Sequence, residues 1–188
     1  MEETTPATTA EEAVTEATEV ATPAIDPAET QRLAEEYLQT LRNEQNLPLA
    51  IGASLAACLL GAAAWAGISY ATEYQIGYMA VAIGLLVGFA NRYAGKGIDQ
   101  VYGVIGAVFA FVSCVLGNYL TLIAFTAKQT ELGFFNLLSV IGPSTAVSAL
   151  AESFQPMDIL FYGLAIYEGY KFSFRQINPD EVQVPAQS

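Results

Sequence analysis

Five polar residues stand in or beside long apolar runs, and they are where this sequence could do chemistry: Asn118, Glu168, Arg92, Lys96 and Asp99. Asn118 falls deep in an apolar run between Gly117 and Tyr119. An amide in hydrocarbon needs a partner, so it is expected to bond across helices to Ser54, Ser113 or Tyr162; lining a pore is the sharper alternative. Glu168 is the one acidic residue embedded in an apolar segment, which makes it a functional candidate by default. Lys171 follows three residues later, so an interfacial ion pair is the plainer expectation. Arg92, Lys96 and Asp99 belong to the run Asn91-Arg92-Tyr93-Ala94-Gly95-Lys96-Gly97-Ile98-Asp99. Gly95-Lys96-Gly97 superficially suggests a phosphate loop, but Ala90 stands where that motif has glycine, Gly97 stands where it has Ser or Thr, and no strand precedes it. A turn with cationic anchors at a membrane face is the simpler reading, with recognition of an anionic lipid headgroup as the alternative.

What is missing narrows the chemistry further. The chain has no histidine, which removes His-based acid/base catalysis, His metal sites and every Ser-His or Cys-His nucleophile arrangement. Its two cysteines, Cys58 and Cys114, both fall mid-way along apolar segments; they cannot furnish tetrahedral zinc and read as small packing residues. No catalytic, cofactor-binding or metal-ligating residue is therefore assigned. An intramembrane enzyme would have to work through a lysine or a carboxylate on lipid.

The elements that must position these residues follow from composition. Of 188 residues, 53% are apolar and 14% charged, and the mean hydropathy is +0.38, which is membrane-protein composition. The net charge of −12 is concentrated in a tail: Glu2, Glu3, Glu11, Glu12, Glu16, Glu19, Asp26 and Glu29 occur before the first basic residue. Such a tail is repelled by an anionic leaflet, and nothing here supplies the basic footprint of nucleic-acid binding. Residues 1–25, rich in Thr, Ala, Glu and Pro, are expected to be disordered. Asp26-Pro27-Ala28-Glu29 then opens a helix, expected over 26–46, whose Leu33, Tyr37 and Leu41 recur on one face among charged neighbours.

No charge occurs between Glu44 and Glu73, and the apolar runs predict spans at about 49–70, 75–91, 101–127 and 157–174 within a bundle over 47–175. Residues 132–151 are uncharged but carry Asn136, Ser139, Pro143, Ser144, Thr145 and Ser148, so they are expected to be interfacial or re-entrant. The basic residues fix the sidedness. Arg32, Arg42, Arg92, Lys96, Lys171 and Arg175 fall on one side of an alternating topology, and only Lys128 on the other. Because short cytoplasmic loops retain Lys and Arg, both termini are expected in the cytoplasm, with the bundle in an inner membrane. Trp65 and tyrosines such as Tyr70, Tyr74, Tyr78, Tyr93, Tyr102 and Tyr170 read as an aromatic belt at the span ends. The fold class expected is all-α, a polytopic helical bundle with a polar tail at 176–188.

Small residues run along the spans: Gly84 and Gly88 as G-x-x-x-G, and Gly103, Ala107, Ala110 and Gly117. They let backbones approach closely, either within the bundle or against a second copy. The Gly95-Lys96-Gly97-Ile98-Asp99 turn, Gly117-Asn118-Tyr119-Leu120, and the segment from Pro156-Met157-Asp158-Ile159-Leu160-Phe161-Tyr162-Gly163 to Tyr167-Glu168-Gly169-Tyr170-Lys171 together resemble a family of small bacterial multi-pass membrane proteins with no assigned activity. The resemblance covers about residues 75–175, implies no activity and carries over no catalytic or binding residue. The function expected is a non-enzymatic membrane scaffold or accessory subunit that uses the 27–45 helix as its partner surface. The alternative is an oligomeric channel or transporter subunit lined by Asn118, Glu168 and the polar 132–151 segment. Partners are the lipid bilayer and a second copy or membrane-complex subunit; no cofactor is expected.

Overall fold

Charge-free stretches and their caps decide where the helices lie. A computed structural model describes residues 27–74, 77–130, 132–153 and 156–177, whose elements are α1 (Pro27–Asn43), α2 (Leu47–Thr72), α3 (Met79–Gly95), α4 (Gln100–Thr130), α5 (Phe134–Val140), α6 (Pro143–Ser153) and α7 (Pro156–Lys171). The described residues form no strand. The acidic tail, the N-cap assigned to Asp26 and residues 178–188 lie outside the described residues.

Asn46 starts α2: its side-chain oxygen accepts from the Leu49 N–H at 3.0 Å, and Pro48 occupies the first turn, where its missing N–H costs nothing. The helix stops where Glu73 turns left-handed at φ 61°. At about 1.5 Å per residue, α2 and α4 span about 39 and 46 Å, and both are long and apolar enough to cross a membrane. Their 17- and 16-residue neighbours α3 and α7 reach about 26 and 24 Å.

The charge of Arg92 does not end the third helix. It continues for another turn, until Lys96 adopts φ 49° and donates its N–H to the Arg92 carbonyl at 2.9 Å. Residues 132–151 form two short helices rather than one, because the residue before Pro143 is excluded from helical geometry. Neither piece is long enough to cross a bilayer alone.

The helices pack as a layered bundle with α3 and α4 in the middle, α2 on one flank and α7 on the other. Residues 46 and 95 meet at one end of the molecule, as do residues 97 and 175; residues 73 and 128 meet at the other. Helices α2 and α4 therefore run away from the 95–99 turn, and α3 and α7 run toward it.

Side-chain sizes are arranged opposite to those of a water-soluble bundle. The interior is built from Ala50, Ala57, Cys58, Ala62, Ala80, Ala110, Cys114 and Ala165 with Ser54 and Ser113, whereas Leu49, Leu55, Leu59, Leu60, Val104, Phe111, Ile159 and Leu160 face outward. Of the most apolar stretch of α2 only 33% is buried, and of α4 only 44%, so most of each apolar surface is directed away from the protein. Trp65 is an exception to the expected belt. It is 2% exposed and lies over Gly117 inside the bundle, because the missing side chain of that glycine leaves room for an indole. Tyr102 is likewise buried, while Tyr70, Tyr74, Tyr78 and Tyr93 are exposed.

Candidate functional site

The densest polar assembly is built around the 95–99 turn, which joins α3 to α4. The short link after α1 reaches across it. The Asn46 N–H donates to the Gly95 carbonyl at 2.9 Å; Gln45 donates from Nε2 to Asp99 Oδ2 at 2.9 Å and accepts the Ile98 N–H on Oε1 at 3.2 Å. Arg42 adds its Nε at 3.5 Å from Asp99 Oδ1. From the other flank, the Arg175 N–H donates to the Gly97 carbonyl at 2.8 Å, and its guanidinium donates to Glu44 at 2.7 Å. Hydrogen bonding to Arg175 and its positive charge, with a smaller contribution from Lys96, hold the Glu44 carboxyl below its ordinary range. Gly97 is required by sterics: a Cβ there would fall 2.0 Å from the Tyr102 ring.

This arrangement ties together three parts of the chain far apart in sequence, and it leaves little room for a phosphate. Two N–H groups of this turn are committed, that of Lys96 to Arg92 and that of Ile98 to Gln45. Arg92 lies over the Tyr93 ring at 5.7 Å, so it faces outward beside an aromatic. Arg92, Lys96 and Asp99 share this end of the bundle, but only Asp99 is drawn into the hydrogen-bonded assembly.

Glu168 and Asn118 lie elsewhere, on the seams of the bundle. The Gly84 and Gly88 pair receives α7: a Cβ on Gly84 would come within 2.6 Å of the Ala165 carbonyl, and one on Gly88 within 2.9 Å of the Phe172 Cβ. Glu168 is packed on this seam with Oε2 buried and unpartnered. Lys171 does not meet it. The expected ion pair is replaced by a lysine whose ammonium lies 5.3 Å over the Tyr167 ring. Asn118 donates from Nδ2 to the Tyr162 hydroxyl at 2.7 Å, joining α4 to α7, whereas Ser113 donates to the Cys58 carbonyl at 2.8 Å. Tyr162 and Glu168 are six residues apart on α7, about 9 Å along its axis, so the structure does not bring Asn118 and Glu168 together.

Along α4, Gly103 accommodates the Tyr170 and Phe174 rings and Gly117 accommodates Trp65, while Ala107 is only half-buried. The tightest point is Gly106, which the choice of Gly103 and Ala107 as the packing stripe passes over. A Cβ there would lie 2.0 Å from Ser173 Oγ and 2.2 Å from the Gly169 carbonyl. Gln45, Glu44 and Asn91 are also missed by the sequence reading. Asn91 is fully buried and donates to the Tyr102 carbonyl at 2.8 Å. Its position at the end of an apolar run, one residue before Arg92, made it look like part of the turn.

At the opposite end, Lys128 pairs with Glu73 and lies 5.5 Å over the Tyr70 ring. Below them a crevice of about 570 Å³ opens between α2 and α4. The described residues contain no cluster of His, Cys, Asp and Glu that would hold a metal. No family model, curated protein or solved structure matches the chain. What the geometry defines is thus a class: an all-helical bundle with small-residue seams, large apolar side chains outside and a hydrogen-bonded clamp at one end.

Proposed function

We propose that the protein is a four-crossing integral membrane protein of the bacterial inner membrane, with both termini in the cytoplasm, that acts without chemistry of its own as a scaffold or accessory subunit. Its bundle is the anchor and α1 is the surface it offers to a partner. The outward-facing leucines, valines and isoleucines support the membrane reading, since a contiguous apolar surface of this kind is stable in lipid and not in water. The short helices α3 and α7 are compatible with crossing because a short span is accommodated by local bilayer thinning and by snorkelling of Arg92 and Lys171.

The observation that carries the scaffold reading is how α1 is held. Leu41 is buried and Arg42 reaches Asp99, so the last turn is fixed to the 95–99 clamp. Among the described elements, none packs extensively along the rest of α1, where Glu35, Glu36 and Leu38 are exposed. A helix fixed at its last turn and presenting such an exposed face suits helix-in-groove or helix-on-helix recognition. The test is a photo-crosslinking residue placed singly at Glu35, Leu38 or Gln39 in cells. A discrete adduct to another protein, lost when Leu33 and Tyr37 are both replaced by Asp, is the expected result. Absence of an adduct at all three positions, or an adduct only to a second copy of this chain, would overturn it.

A further inference from the structure

The crevice between α2 and α4 has features that the anchoring role does not call for. Its walls are Ala63, Ala66 and Gly67 on one side and Leu120, Ala124 and Ala127 on the other, and Leu132 and Phe134 complete the lining from the chain beyond α4. At about 570 Å³ it falls within the range of about 300–1,000 Å³ typical of small-molecule sites. Gly67 stands mid-helix, where glycine is less favourable than alanine, yet nothing lies within 4 Å of where its Cβ would be. Gly67 lines the crevice, and the space beside it is not filled by any described residue of this chain.

Among the described residues the rim carries one charge of each sign. Lys128 and Tyr70 line the mouth, and Glu73, paired with Lys128, sits beside them. The pair is exposed, with side-chain exposures of 45% and 67%, and such pairs hold together weakly enough to exchange partners. An apolar slot with a paired cation and anion at its mouth is complementary to a zwitterionic amphiphile. The slot's α2 wall is made of Ala63, Ala66 and Gly67, residues too small to interlock with a docking helix. A single flexible chain needs no such interlocking.

We propose that this crevice binds one acyl chain of a zwitterionic phospholipid, with the phosphate on Lys128 and the ammonium on Glu73. The inference rests on the membrane reading only for the source of the lipid, and its test is independent of topology. Trp65 is the chain's one tryptophan and stands on the turn of α2 that lines the slot. Its buried ring lies beside the Ala66 and Gly67 wall rather than in the slot, so a brominated acyl chain bound there quenches it at short range. Purified full-length protein in maltoside micelles is titrated with brominated phosphatidylethanolamine, and the expected result is saturable quenching at about one lipid per chain. Gly67→Phe and Ala127→Phe, which fill the slot from opposite walls, should weaken apparent affinity about tenfold or more, because overpacking costs about 1–3 kcal/mol. Gly67→Ala should leave it unchanged. Glu73→Gln should shift preference about threefold toward brominated phosphatidylglycerol. Non-saturating quenching, wild-type affinity in both filled variants, or a wild-type preference for phosphatidylglycerol would each overturn the proposal. The Glu73→Gln arm keeps the test decisive if the filled variants do not fold.

Discussion

At the residue scale, the importance of a glycine in this bundle is set by what its missing side chain would meet. Gly106 faces the backbone of Gly169 and the hydroxyl of Ser173, which donates to the Gly169 carbonyl at 2.6 Å. Added volume there must move a helix rather than a flexible side chain. Gly52, also within a helix, faces open space. Gly106→Ala should therefore lower stability by about 1–3 kcal/mol, while Gly52→Ala should raise it by about 0.5–1 kcal/mol through the smaller backbone entropy lost on folding. Reversible unfolding in mixed micelles, read by circular dichroism, distinguishes them. Equal effects would mean that the α4–α7 seam is looser than its geometry. The Gly84 and Gly88 pair was legible in the sequence because its spacing repeats on one helical face. Gly106 was not, because several stripes of small residues on α4 satisfy the same spacing, and only the position of α7 selects among them.

At the scale of elements, helix existence was legible and helix ends were less so. The charge-free lengths of α2 and α4 announce themselves, whereas the end of α3 depends on a backbone reversal at Lys96 that a charged residue four positions earlier obscures. The apolar stretch at 132–151 hides its break until Pro143 is read as a local veto on the residue before it. The clamp around the 95–99 turn was the least legible, since Gln45, Asp99 and Arg175 are brought together only by the packing of four helices. Its pH dependence follows from the Glu44 carboxylate, which Arg175 holds below the ordinary value of 4.5. For a depressed acid, the stabilisation is fully present above the ordinary value and is lost as pH falls through the depressed one. Thermal unfolding of wild-type protein should thus exceed that of Glu44→Gln at neutral pH, and the gap should close as the solution is taken below pH 4.5. Added salt should narrow the gap at neutral pH, because the pair is exposed and screened. A gap that widened on acidification would show that Glu44 is not the partner that secures Arg175.

At the scale of the whole molecule, two independent asymmetries coincide. Arg42, Arg92, Lys96, Lys171 and Arg175 all lie at the end of the bundle that carries the 95–99 clamp, and Lys128 lies at the other. Large apolar side chains cover the waist between these ends, while the interior is largely small residues around Ile83, Val87, Ile123 and Trp65. In the proposed four-span reading, the charged ends would face two aqueous compartments, with the cation-rich end kept in the cytoplasm. The orientation can be read with single cysteines placed at Glu35, Thr130, Val147 and Gln176, all exposed positions, after Cys58 and Cys114 are replaced by alanine. An impermeant maleimide added to intact cells should label the cysteines at 130 and 147. Those at 35 and 176 should react only once the membrane is opened. Labelling of 176 together with 130 from outside would mean that α7 does not cross, leaving three spans, and labelling of 35 from outside would invert the protein. The outcome at 176 has the most discriminating power. The 16 residues of α7 are the fewest of the four proposed spans, and only their passage back through the bilayer returns Lys171 and Arg175 to the side where the other clamp residues stand.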